Sequence, residues 1–153
     1  MNVKQPVTPT ITVGDQPDGD DLKALAGEGY VGVVNLRNDG EPDQPMGPAA
    51  EGETVKALGL DYLHVGVGSA PLDDEGVAAF CLFLDEHAAG KTMVHCRKSG
   101  RAVALVALYL ARKQGWSADE AAAMAGEHGL KVEGGMRTLV ETYLRAHEDA
   151  KGG

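Results

Sequence analysis

Apolar positions along this chain switch between two periods. "TITV" (10–13), "YVGVVNL" (30–36), "DYLHVGV" (61–67) and "KTMVH" (91–95) are short runs rich in β-branched residues, the mark of strands. Between them the spacing turns helical. "DGDDLKALAGEG" predicts a helix with Asp18 as its N-cap and Gly27 or Gly29 as its stop, and a second runs from about Pro48 to Leu58. Pro71 and Asp73 introduce a third, in which Val77, Phe80, Cys81, Leu84 and Ala88 fall on one face. The segment from Ala102 to Gln114 is apolar almost all round, as expected of a helix buried on every side. Ser117-x-x-Glu120 is a capping box that opens another helix, and "GGMRTLVETYLRAHE" makes the last. Segment 37–47, rich in Gly, Pro and Asp, is a loop.

Strands alternating with helices predict an α/β fold, a mainly parallel sheet of four to five strands flanked by helices on both faces. A chain of 153 residues suits one domain, 1–153, with 1–8 and 149–153 as loose ends. Hydrophobic content of 43% beside 24% charged residues excludes a disordered chain. The longest apolar run, Ala102 to Ala111, is too short to span a membrane, and "MNVKQPVTPTITV" has no signal-peptide pattern. Two cysteines, Cys81 and Cys96, make no disulfide framework, which predicts a reducing, cytoplasmic setting. The five histidines show no metal-ligand spacing, so neither a metal nor a cofactor is expected.

Charge changes the picture locally. A net charge of −9 argues against nucleic acid or an anionic membrane as partner. Yet no acidic residue occurs from His87 to Ala118, where Lys91, Arg97, Lys98, Arg101, Arg112 and Lys113 are all basic. Three of these crowd into the turn "CRKSGR" between the strand ending at His95 and the buried helix. In parallel sheets ligands bind beyond the carboxyl ends of the strands, where this turn lies. Its amides enter a helix without intrahelical partners, and the helix end carries about half a positive charge. These features favour the thiolate of Cys96, and the fork of Arg101 suits an oxyanion.

The turn resembles the active-site loop of protein tyrosine and dual-specificity phosphatases, His-Cys followed by a short loop and Arg. "VGVVNLR" is similar to their second strand and "KQGWSADEA" to the helix junction after the loop. "TITVGDQPDGDDL", "VVNLRNDGEP" and the four-residue spacing between Cys96 and Arg101 resemble most a bacterial β-lactamase-hydrolase-like group within that superfamily. The resemblance implies a cysteine-phosphatase-like fold and hydrolysis of phosphate monoesters, most simply aryl phosphates or phosphotyrosine, on a phosphorylated protein or a small molecule. It implies Cys96 as nucleophile forming a phosphocysteine, and Arg101 with Arg97, Lys98, Ser99 and Gly100 as the phosphate cradle. His95 would orient the nucleophile, and Arg37, ending its strand beside Cys96, would serve the anion site.

Three departures narrow that expectation. The loop is one residue short, Ala102 stands where Ser or Thr usually follows the arginine, and no Asp occupies the region of Ser69 where the general acid is usual. Asp73 is one substitute, though it is also a natural N-cap; Asp39 and Glu41 compete with it. A six-residue turn beginning with Cys also suits a rhodanese-like sulfurtransferase working through a persulfide. A third reading is a non-catalytic phosphate-binding pseudophosphatase. Cys81 is expected in the core, with a resolving partner for oxidised Cys96 as its other reading. Trp116 is expected as a packing anchor.

Overall fold

The computed structural model describes residues 1–68 and 72–147. Strands β1 (Lys4–Thr8), β2 (Ile11–Gly14), β3 (Tyr30–Asn35), β4 (Asp61–His64) and β5 (Lys91–His95) form one sheet in the order β1-β2-β5-β3-β4. The β1–β2 hairpin is antiparallel and every other pairing is parallel. Helices α1 (Gly19–Gly27), α2 (Pro48–Ala57), α3 (Asp74–Glu86), α4 (Gly100–Gln114), α5 (Ala118–Glu127) and α6 (Gly134–Ala146) fill the connections and cover both faces.

Strand alternation sorts the core into two layers. Val33 of β3 and Met93 of β5 point to one face, where Leu22 and Leu25 of α1 and Val55 of α2 meet them. Val34 and Val94 point to the other, against α4 with Val77, Phe80 and Leu84 of α3. Every residue from Ala102 to Ala111 is buried, because α4 lies between the sheet and a second rank made of α5 and α6. The expected caps are present: Asp18 accepts from Asp21 N and Ser117 from Glu120 N. Cys81 and Trp116 pack partly buried against the larger core.

Residues 4–8, expected as part of a loose end, instead form the edge strand β1. It carries little apolar signal and Pro6, and it is held by hairpin pairing with β2. Residues 149–153 lie outside the described residues. Strand "DYLHVGV" is shorter than expected, ending at His64, since residues 65–67 lean on the loop after β3: Val65 N donates to Asn35 O and Val67 N to Leu36 O.

One consequence of the register positions the site. Gly14 of β2 aligns with His95, His95 with Asn35, and Asn35 with His64, so four parallel strands end level at one rim. Gly14 must be glycine there: a Cβ would lie 2.9 Å from Val3 O and 3.1 Å from Met93 Sδ. Gln16, Cys96, Arg37 and the stretch through Val67 follow directly from those strand ends.

Candidate active site

Cys96 emerges from β5 into the turn and is buried. Its amide donates to Gly14 O at 3.4 Å, and its Sγ accepts the N–H of Ser99 at 3.1 Å. The chain can turn back on the sulfur because Ser99 adopts φ 98°, a left-handed conformation uncommon for a residue with a Cβ. Val103 N to Ser99 O is the first backbone bond of α4, leaving the amides of Gly100, Arg101 and Ala102 outside the helical ladder. Arg97 pairs with Asp43 across the loop, while Lys98 is exposed.

Arg101 stands in the first turn of α4 and is gripped from the β3–α2 loop. Its Nη1 donates to Glu41 Oε2 at 2.7 Å and to Val67 O at 2.9 Å; its Nη2 donates to Glu41 Oε1 at 2.8 Å. Among the described residues no oxygen accepts from the Nε–H or the second N–H of Nη2, and the Cys96 sulfur acts on the guanidinium from nearby. Those two donors form one edge of the fork, the geometry that takes two oxygens of an oxyanion side by side. Glu41 holds the guanidinium above its ordinary range; burial opposes this, and the Cys96 sulfur adds to it. In return the Arg101 hydrogen bonds hold Glu41 at about 2, against the effect of its own burial.

Arg37 is fully buried. Its Nε donates to Glu41 Oε1 at 3.2 Å, its Nη1 to Gln16 Oε1 at 2.8 Å and its Nη2 to Pro42 O. It stands behind the turn, one carboxylate away from Arg101. On the opposite side His95 Nε2 meets Glu51 Oε2 at 2.7 Å, both side chains without exposure. Burial pushes Glu51 up most strongly, but the hydrogen bonds from His95 and Gln16 prevail and keep its carboxyl below the ordinary range.

Of the residues considered as general acids, Asp39 and Glu41 share the β3–α2 loop and Asp73 stands at the start of α3. Asp73 is the N-cap of α3, its Oδ2 accepting from Gly76 N at 3.1 Å. Asp39 is exposed at the tip of the β3–α2 loop, and Ser69 lies outside the described residues. Glu41 is occupied by two arginines. Sequence reasoning missed Glu51 and Gln16. Glu51 left little signal, since the residues that share the buried face of α2 with it, Pro48, Gly52 and Val55, are too small or too mixed to mark that face. Gln16 had none, being a loop residue in a polar stretch. No cluster of metal-ligating residues occurs among the described residues.

A family model described as β-lactamase hydrolase-like protein, phosphatase-like domain, matches residues 4–113, from β1 almost to the end of α4. The chain belongs to that family. A β-lactamase hydrolase-like protein of Xylella fastidiosa strain Temecula1 is 32% identical over 123 residues, which is 80% of this chain but 28% of the relative. The chain thus spans about a quarter of that relative's length. A DUF442 protein from Shewanella putrefaciens CN-32 has a similar structure, with TM-score 0.74 and 25% identity over 94% of this chain and 92% of that one. PTPMT1, solved in complex with PI(5)P, shares the fold at TM-score 0.78 and 16% identity, over 97% of this chain and 98% of that one. The fold is therefore that of the cysteine phosphatases, and this member of the β-lactamase hydrolase-like family carries a phosphatase-like domain. No helix among the described residues is long and apolar enough to cross a membrane.

Proposed function

We propose that this domain hydrolyses phosphate monoesters through a phosphocysteine on Cys96. The reading rests on one observation above the others: Ser99 N–H points at Cys96 Sγ from 3.1 Å, at the mouth of a helix whose first turn carries Arg101. That N–H holds the sulfur at the mouth of the turn, and the amides of Gly100 to Ala102 with the open edge of Arg101 suit the three non-bridging oxygens of a phosphoryl group. The thiolate attacks phosphorus, the P–S bond forms and the P–O bond to the leaving group breaks. Water then attacks the phosphocysteine, releasing inorganic phosphate and restoring the thiolate. Arg97 and Lys98 supply positive potential at the rim, and His95 orients the nucleophile from behind.

With Asp73 engaged as a helix cap and Glu41 held ionised, a proton donor for the leaving group is the weakest part of the machinery. Aryl phosphates, including phosphotyrosine, need that donor least, so they are the favoured substrate class. PTPMT1 bound to PI(5)P makes a phosphoinositide the next class to assay. Mixing enzyme with an aryl phosphate and quenching within one turnover tests the intermediate. One phosphate on the Cys96 peptide by mass is the expected result, and Cys96→Ser with undiminished turnover would sink the reading.

Sulfur transfer is the second reading, favoured by the six-residue turn from Cys96 to Arg101. There the Cys96 thiolate attacks the outer sulfur of a thiosulfate-like donor, the S–S bond of a persulfide forms and sulfite departs. A thiophilic acceptor such as cyanide then takes the sulfur and restores the thiolate. That chemistry needs no acid on the leaving group.

A further inference from the structure

Behind the turn, a continuous chain of side chains joins its two lips. His95 Nε2 meets Glu51 Oε2 at 2.7 Å, and Gln16 Nε2 donates to Glu51 Oε1 at 2.9 Å. Gln16 Oε1 accepts from Arg37 Nη1 at 2.8 Å, Arg37 Nε donates to Glu41 Oε1 at 3.2 Å, and Glu41 takes both terminal nitrogens of Arg101. His95, Glu51 and Arg37 are buried completely, so this chain runs through the interior and salt screens it little. Gln16 is the one link in it with no titratable group. Its backbone amide also donates to Arg97 O at 3.3 Å, which ties it to the turn a second time.

The chemistry of the two neighbours dictates what can stand between them. Arg37 only donates hydrogen bonds and an ionised Glu51 only accepts them. The linking group must therefore accept on one side and donate on the other, from one rigid plane, and an amide does both. A carboxylate would suit Arg37 and repel Glu51. An ammonium would suit Glu51 and leave Arg37 facing a cation.

We propose that Gln16 is a positioning residue that couples the Cys96 side of the site to the Arg101 side. It touches neither residue, yet it sets the Glu51 that holds His95 and the Arg37 that holds Glu41. The proposal rests on the reading of Cys96 and Arg101 as the reacting pair. A change at Gln16 should disturb nucleophile and oxyanion binding together, whereas a merely structural residue would alter stability alone.

The test uses two variants of the whole chain and two readouts: affinity for inorganic phosphate by calorimetry, and alkylation of Cys96 by iodoacetamide, followed on its own peptide by mass. Gln16→Met keeps length and removes the bonds to Glu51 and Arg37, along with the local one from Nε2 to Pro17 O. It should weaken phosphate binding about tenfold, the equivalent of one charge-assisted hydrogen bond, and change the alkylation rate of Cys96 as well. Gln16→Glu keeps the shape and covers the case in which the methionine variant fails to fold. Its phosphate affinity, relative to wild type at each pH, should recover as pH falls, because a protonated carboxyl accepts from Arg37 and donates to Glu51 as the amide does. Wild-type phosphate affinity and alkylation rate in Gln16→Met would overturn the coupling, as would a relative affinity of Gln16→Glu that does not move with pH. A wild-type protein that binds no phosphate would instead overturn the phosphatase reading, and the alkylation rates would still decide the coupling.

Discussion

Arg101 presents both terminal nitrogens to both carboxylate oxygens of Glu41, at 2.7 and 2.8 Å, across sixty residues of sequence. This contact does more than neutralise a charge. It fixes the plane of the guanidinium and uses up one of its edges, so that the edge left over is the one available to a phosphoryl group. Glu41→Gln keeps the shape but weakens the pairing, and the fork should lose its fixed plane. We expect kcat/KM on an aryl phosphate to fall by roughly tenfold to a hundredfold, mostly through KM, since orientation of the bound oxyanion is what is lost.

The same pair gives a pH dependence of stability. Glu41 has an ordinary value of 4.5 and a folded value of about 2. The folded state thus favours the ionised carboxylate, and its stabilisation is complete above about pH 4.5 and lost as pH falls toward about pH 2. Both side chains are less than a fifth exposed, at 17% for Arg101 and 19% for Glu41, and the shift corresponds to about 3 kcal/mol. Urea unfolding of wild type and Glu41→Gln should show a stability gap of that order near neutrality. The gap should narrow steadily in acid; a gap independent of pH would assign the stability to something other than this carboxylate.

Ser99 tests the backbone of the turn. Its φ of 98° is costly for a residue with a side chain and free for glycine. Ser99→Gly should raise stability by about 1 kcal/mol, read as a higher denaturant midpoint at unchanged slope, while Ser99→Val should lower it. If both variants unfold at the wild-type midpoint, the turn does not hold its left-handed residue in solution.

Asp73 separates a cap from an acid. As a cap it accepts from Gly76 N at 3.1 Å, and asparagine does this as well as aspartate. Asp73→Asn should therefore unfold like wild type and Asp73→Ala should lose about 1 kcal/mol. Turnover of phosphates with poor leaving groups is expected to be unaffected by Asp73→Asn. A selective loss on those substrates would give Asp73 the proton-donor role.

Much of this architecture is legible in the residues. β-Branched runs mark four of the five strands, the Asp18 N-cap and the Ser117-x-x-Glu120 capping box mark two helix starts, and the unbroken apolar run from Ala102 to Ala111 announces the helix at the centre of the fold. The turn from Cys96 to Arg101 is legible too, because its chemistry is local. What escaped lies in contacts between distant segments. β1 is an edge strand whose pairing, not its composition, holds it. Glu41 reads as a loop acid until the fold brings it to Arg101, and Gln16 carries no pattern at all. Glu51 sits on the buried face of α2 among residues too small or too mixed to mark that face clearly. Such residues acquire meaning only when strands ending level at one rim bring their loops together.

The most direct measurement is turnover of an aryl phosphate beside sulfur transfer from thiosulfate to cyanide, for wild type and Cys96→Ser. Phosphate release by the wild type, its loss in Cys96→Ser with phosphate binding retained, and no thiocyanate from either protein are the expected results. Cys96-dependent thiocyanate without phosphate release would contradict the phosphatase reading, and would make the short turn a cradle for sulfane sulfur.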